Sequence, residues 1–238
     1  MKRYPAKKGP FSMRLWFDDG EIDKLCVAEL RRLDLLPESP SPVAIDAFFP
    51  RRHQIDETYV TLKPGRLGAL KFNANGVEAL YVSRELGEDQ SPVSQRRVRS
   101  TIAHEGGHAL FHTELYIERI VRLTSHRDMF GEEAEATADV GRDTFSCGGE
   151  TGPAPRADEW WEFQANQAMA ALLLPSHLVR TAMEQLAPNF AGLDVAAQQA
   201  AMRRVDRELA EVFDVNPIMV AYRTRDWWAE SAQQPTLF

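Results

Sequence analysis

Two cysteines in 238 residues, Cys26 and Cys147, far apart in the chain, make no disulfide framework. No uncharged stretch approaches the ~20 apolar residues that a helical membrane span needs. The start, Met1 to Arg14, is basic (Lys2, Arg3, Lys7, Lys8, Arg14) but has no apolar run of the kind a signal peptide carries. Positive charge is not in excess either: 28 Lys and Arg against 35 Asp and Glu leave −7 at pH 7, the wrong sign for a chain whose main partner is nucleic acid. Internal repeats and low-complexity segments are absent. What is present is ordinary for a folded soluble chain: 44% hydrophobic and 26% charged residues, with five Trp and twelve Phe to build a core. The expectation is a cytoplasmic protein with one substantial domain and no membrane partner.

Glu21 to Leu36 carries Ile22, Leu25, Cys26, Leu30 and Leu33 at helical spacing, and the Pro/Ser-rich stretch from Pro37 to Pro42 ends it. From Val43 to Ser83 the pattern turns to strands. Tyr59–Leu62 and Gly68–Phe72 alternate, and Asn75-Gly76 is a two-residue hairpin signal before Val77–Val82. A small antiparallel sheet is expected here, with Gly68–Phe72 and Val77–Val82 near an edge where an extended peptide can add through main-chain hydrogen bonds. Ser91-Pro92 reads as an N-cap and a first-position proline, opening a helix expected to reach about Tyr116. Arg122 to Asp158 is polar and acidic and is expected to be mostly loop, with Glu132 to Val140 a candidate helix. Asp158 to Leu174 is a strongly apolar helix stopped by Pro175; Val195–Phe213 and a last helix from Asn216-Pro217 to about Trp228 complete the chain.

The helix opened at Pro92 carries His104-Glu105-Gly106-Gly107-His108. Histidines four apart lie on one helix face, about 40° apart, so both imidazoles can bind one tetrahedral Zn²⁺. Glu105 is swung about 100° from His104, near the metal without being needed as a ligand. It can take a proton from the attacking water and deliver it to the leaving amine. His104, Glu105, His108 and His112 share an arc with Val98, Ile102 and Ala109, the stripe expected to face the core. Ionisable groups there are costly unless something compensates them, and a metal does so. Gly106 and Gly107 each cost about 1 kcal/mol in a helix interior relative to Ala, so another element, or the substrate, is expected to approach closely.

A catalytic zinc needs a third protein ligand and one open position. The candidates are His112, His126, the acidic group Glu132, Glu133, Glu135 and Asp139, Cys147, and Glu162. Glu162 leads on spacing, because it shares a stripe with Asn166, Met169 and Leu173 in an otherwise apolar helix. The Glu132–Asp139 cluster is its main rival.

Arg97-Val-Arg-Ser-Thr-Ile-Ala-His-Glu-Gly-Gly-His-Ala-Leu-Phe-His112 and Glu162-Phe-Gln-Ala-Asn-Gln-Ala-Met-Ala-Ala-Leu-Leu-Leu-Pro175 resemble the two motif blocks of the ImmA/IrrE-type metallopeptidases. That family's pattern is T-x-A-H-E-x-G-H on a helix, then E-x-x-A-N and an Ala/Leu-rich run ending in proline. The resemblance implies His104 and His108 as zinc ligands, Glu162 as the third and Glu105 as the acid/base. It implies an intracellular endopeptidase acting on a specific protein such as a helix-turn-helix repressor, in a stress or mobile-element circuit. Gly106 departs from the pattern, standing where a larger aliphatic is common, and the long segment between the blocks has no implied role.

The fold expected is α+β: a small antiparallel sheet packed on helices, a zincin-like active-site helix and a helix-turn-helix-like C-terminal part. Residues 1–20 form a basic extension, 21–176 the metallopeptidase domain and 177–238 a helical region packed on it. His112, Tyr116 and His177 are candidates to orient a ligand or stabilise the oxyanion, and Asn166 to hold Glu162 or nearby backbone. Cys147 is a further candidate to mask the metal. The second C-terminal helix opens with Pro217-Ile-Met-Val-Ala-Tyr222, which offers no base-reading group, so no direct DNA binding is expected. The rival reading is a regulatory or antitoxin-like module with a vestigial or sensing metal site.

Overall fold

The computed structural model describes residues 1–7, 9–130, 144–148, 159–186 and 193–233 as a mixed α+β fold. In chain order it forms strands β1 (Lys2–Pro5) and β2 (Met13–Trp16), helix α1 (Asp19–Arg32), a 3-10 turn (Ile45–Ala47) leading into α2 (Phe48–His53), and strands β3 (Glu57–Val60), β4 (Arg66–Asn73) and β5 (Gly76–Ser83). Helices α3 (Arg84–Glu88), α4 (Pro92–Phe111) and α5 (Thr113–Phe130) follow, then strand β6 (Thr144–Gly148) and helices α6 (Trp160–Leu173), α7 (Ser176–Leu186), α8 (Val195–Phe213) and α9 (Pro217–Gln233).

The larger sheet has the order β3-β5-β4-β6. β4 and β5 make the expected hairpin, though its two loop residues are Ala74 and Asn75, because Asn73 pairs with Gly76. The Asn73 side chain accepts the Asn75 amide at 2.7 Å, and Gly76 takes a φ of 130° that a side chain would resist. The sheet is not antiparallel throughout: β3 runs parallel to β5. The chain leaves β3 at Val60, beside Ser83 at the end of β5, and enters β4 on the other side of that strand. Both hairpin strands are therefore interior, β5 between β3 and β4, and β4 between β5 and β6. The edge expected at Gly68–Phe72 and Val77–Val82 is covered by β6 over Gly68–Lys71 and by β3 over Leu80–Val82.

Val43 to His53 is not strand-like either. Phe48 and Phe49 are adjacent and both buried, which a strand facing one core cannot arrange because successive side chains point oppositely. A short helix does so, and Gln54 in the left-handed region ends it.

Helix α4 lies at the centre. Ser91 Oγ accepts the Ser94 amide at 3.3 Å and Pro92 takes the first turn. The helix ends at Phe111, short of Tyr116, where His112 turns to φ −121° and α5 begins. The first twenty residues add more than charge: Phe11, Leu15 and Phe17 are buried, with Phe11 edge-on to Tyr116 (4.9 Å between centroids) and Phe17 edge-on to Phe111 (5.0 Å). At the other end, Asp214 in the left-handed region joins α8 to α9, and buried Asp206 accepts from Thr224 Oγ1 (2.9 Å) and Trp228 Nε1 (3.1 Å). This pair is tied to α4 by Arg96, which donates to Glu211 and Asp214, and to α1 by the Arg223–Asp23 ion pair. No helix of the described residues is long and apolar enough to cross a membrane.

Candidate metal centre

Small residues let α4 approach two layers. On one side Gly68 of β4 faces Thr101 and Glu105: a Cβ there would stand 2.4 Å from Thr101 Cγ2 and 2.9 Å from Glu105 Oε1. On another side Gly107 faces α6, where a Cβ would stand 2.9 Å from Ala168 Cβ and 3.0 Å from the Ala165 carbonyl oxygen. Going round α4 from Glu105 at about 100° per residue, His108 comes about 60° on, His104 about 100° and Gly107 about 160°. The histidines therefore point into the seam between sheet and α6, where Glu162 in the first turn of α6 meets them.

His104 Nε2 lies 3.1 Å from His108 Nε2 and 3.2 Å from Glu162 Oε2, and His108 Nε2 lies 3.6 Å from Glu162 Oε1. Donors held ~2.0–2.1 Å from one tetrahedral ion stand about 3.3 Å apart, so these separations match a three-donor set. The site can hold a metal ion; ligand atoms of the three residues all lie within 4.8 Å of one another. Both imidazoles are buried, whereas the Glu162 side chain keeps 20% of its surface exposed, leaving the approach to the site on its side. Glu105 has no exposed surface at all.

Burial alone would keep His104 neutral, but the Glu162 carboxylate, and Glu105 after it, raise its pKa above the ordinary 6.5. Burial likewise works against the charge on Glu162, yet His108 and His104 hold that carboxyl well below the usual range. Both shifts favour a proton on His104 beside an ionised Glu162 when no metal is bound. A metal must displace that proton. Metal affinity is expected to fall about tenfold per pH unit below the raised His104 value, for each proton displaced, and to level off above it. Competition titrations between about pH 5 and 8 check this; affinity independent of pH across that range contradicts it.

The other named residues separate clearly. Asn166, one turn after Glu162, accepts from His104 Nδ1 at 2.9 Å, so it holds a histidine and not Glu162 or backbone. His112 is fully buried, with Nδ1 3.1 Å from His108 Nδ1 and Nε2 3.0 Å from Gln164 Oε1. Both its nitrogens are engaged, which leaves none for an oxyanion; burial, and then His108 beside it, push its pKa down to about 3. Tyr116 is buried, stacked on Phe72 at 4.1 Å, and its hydroxyl is raised by burial and then by Glu162 and Glu105. His177 is exposed at the start of α7, and no described hydrogen bond joins it to this group. Glu132, Glu133, Glu135 and Asp139, and the side chains of His126 and Cys147, lie outside the described residues; the backbone of Cys147 pairs with Gly68 in the sheet.

Gln164 and Gly68 were not singled out from the sequence. A glycine inside a strand is a signal of close backbone approach, and an amide two residues after Glu162 in an apolar run needs a buried partner. No protein-family model matches the sequence, and no curated protein matches it. The functional reading therefore rests on the site residues themselves.

Proposed function

We propose that the chain is a zinc-dependent endopeptidase of the ImmA/IrrE type that cleaves a specific protein, such as a helix-turn-helix repressor, without binding DNA itself. The observation that carries the reading is the donor set of two imidazole nitrogens and one carboxylate at 3.1, 3.2 and 3.6 Å, with a further carboxylate, Glu105, beside it on the same helix. His104, His108 and Glu162 would hold the ion. When bound, zinc supplies Lewis acidity toward the scissile carbonyl and acidifies water. Glu105 takes up the proton that water releases as it attacks the carbonyl carbon, and returns it to the departing amide nitrogen. Its burial beside Gly68 fixes the carboxylate and shields it from bulk water. Asn166 orients His104.

The absence of a DNA role is supported by the exposed face of α9. It presents Ile218, Ala221, Tyr222 and Arg225, an apolar start where a groove-reading helix would carry amide or basic groups.

Protein purified without chelator is expected to contain about one zinc per chain, or iron, nickel or manganese in its place, since affinity alone does not select zinc. It is expected to cleave a helix-turn-helix repressor, and one encoded beside its gene is the first substrate to try. Elemental analysis and a cleavage assay read both. Protein that neither carries metal nor takes it up on titration would sink the reading.

A further inference from the structure

The two histidines of the site are held in different ways. His104 Nδ1 meets Asn166 Oδ1 on α6, a single hydrogen bond from a side chain one turn beyond Glu162. An amide oxygen only accepts, so His104 carries its proton on Nδ1 and offers Nε2 to the metal.

For His108 the same outcome is reached through a longer chain. The Leu15 carbonyl on β2 can only accept, so the group of Gln164 that faces it at 2.8 Å is the amide nitrogen, Nε2. That orientation turns Gln164 Oε1 toward His112 Nε2, 3.0 Å away. The oxygen accepts, so His112 Nε2 carries the hydrogen and the lone pair of its neutral ring lies on Nδ1. His108 Nδ1, 3.1 Å from that lone pair, must donate. The proton of His108 is thereby fixed on Nδ1, and Nε2 is left to face His104 Nε2 and Glu162. Each direction follows from the one before it, and the series begins at a backbone carbonyl that has no alternative.

Resting on the metal-site reading above, we infer that His112 and Gln164 are positioning residues that select the metal-binding nitrogen of His108, and that they anchor this choice to the N-terminal hairpin. His112 stands between α4 and α5, Gln164 on α6 and Leu15 on β2, so four elements set one nitrogen. Because the series ends on the hairpin, hairpin docking and metal affinity are coupled, and the coupling acts equally in both directions. Metal tightens the hairpin, and loosening the hairpin weakens the metal.

The test uses the full chain, stripped of metal and titrated with Zn²⁺ against a competing chelator, with thermal melts to show that each variant folds. Gln164→Leu removes the acceptor for His112 and the donor to Leu15; His112→Leu removes the acceptor for His108. Both are expected to weaken zinc binding about 10–100-fold, the range for lost partners of metal ligands. Gln164→Glu, kept neutral by burial, retains an acceptor toward His112 and an O–H donor toward Leu15, and His112→Asn keeps an acceptor toward His108. Both should stay close to the parent affinity. Hydrogen exchange adds a second readout: amides of Lys2–Tyr4 and Met13–Trp16 should slow on zinc binding in the parent but not in Gln164→Leu. If Gln164→Leu or His112→Leu melts lower yet binds zinc as the parent does, the roles are structural only and the inference falls. Gln164→Glu weakening zinc as much as Gln164→Leu overturns it too. A parent chain that binds no zinc would overturn the metal reading itself, and this one with it.

Discussion

Replacing Glu105 by Gln is expected to abolish peptidase activity while leaving the metal in place. The amide matches the carboxylate in size, so the packing beside Gly68 survives. It cannot take up a proton from water, and losing a positioned general base costs about 10²–10⁴-fold in rate. Elemental analysis of the Glu105→Gln protein should match the parent, because the donor set is His104, His108 and Glu162. His104→Ala and Glu162→Ala should lose metal and activity together. Loss of metal from Glu105→Gln would show that this carboxylate is a ligand and that the roles have been assigned wrongly.

The second large effect is expected at Gly107, and it reaches the site through packing. Exchanging a helical glycine for alanine usually gains about 1 kcal/mol. At Gly107 the new Cβ would press on Ala168 Cβ at 2.9 Å and on the Ala165 backbone at 3.0 Å, and backbone cannot swing aside. Overpacking of this kind costs about 1–3 kcal/mol, which outweighs that gain, so Gly107→Ala should lower the melting temperature by a few degrees and push α6 outward. Glu162 moves with α6, and metal affinity should fall with stability. Gly106→Ala is the control: its Cβ would meet only the side-chain ends of Leu172 and Phe48, each at 3.3 Å, and the helix gain should nearly balance the crowding. Calorimetry and zinc titration of the two variants separate the sites. Gly107→Ala combined with Ala168→Gly should recover part of the loss, a coupling expected only of residues in contact.

Those glycines also mark how far the sequence could be read. His104 and His108 on one helix face, and Glu162 on the inward stripe of an apolar helix, are periodic signals, and the structure brings the three together. Adjacent glycines announced a close approach, and Gly107 receives α6. The departure at Gly106 has a plain cause, since Phe48 and Leu172 fill the space a larger side chain would need. What periodicity does not encode is which distant groups meet. No local pattern pairs His112 with Gln164 or Gln164 with Leu15. Nor could alternation show that β3 would pair with β5 over Leu80–Ser83, closing part of the edge expected there. Asn166 was read as a support for its own helix neighbour, because i, i+4 spacing is visible in a sequence and a partner 62 positions away is not.

That long reach has a consequence for when the protein can acquire its ion. Glu162 meets His104 across 58 positions, and Gln164 meets Leu15 across 149. Closing such loops comes late and slowly compared with forming a helix. A chain emerging from the ribosome has made His104 and His108 long before it has made Glu162, so it passes through a stage with two of the three donors and no seam to hold them. If the site takes up metal as proposed, loading would in this sense report completed folding. On the proposed reading, an ion is expected to bind tightly only to a chain whose first strands and α6 have already found each other, and a chain in which they have not is expected to stay metal-free.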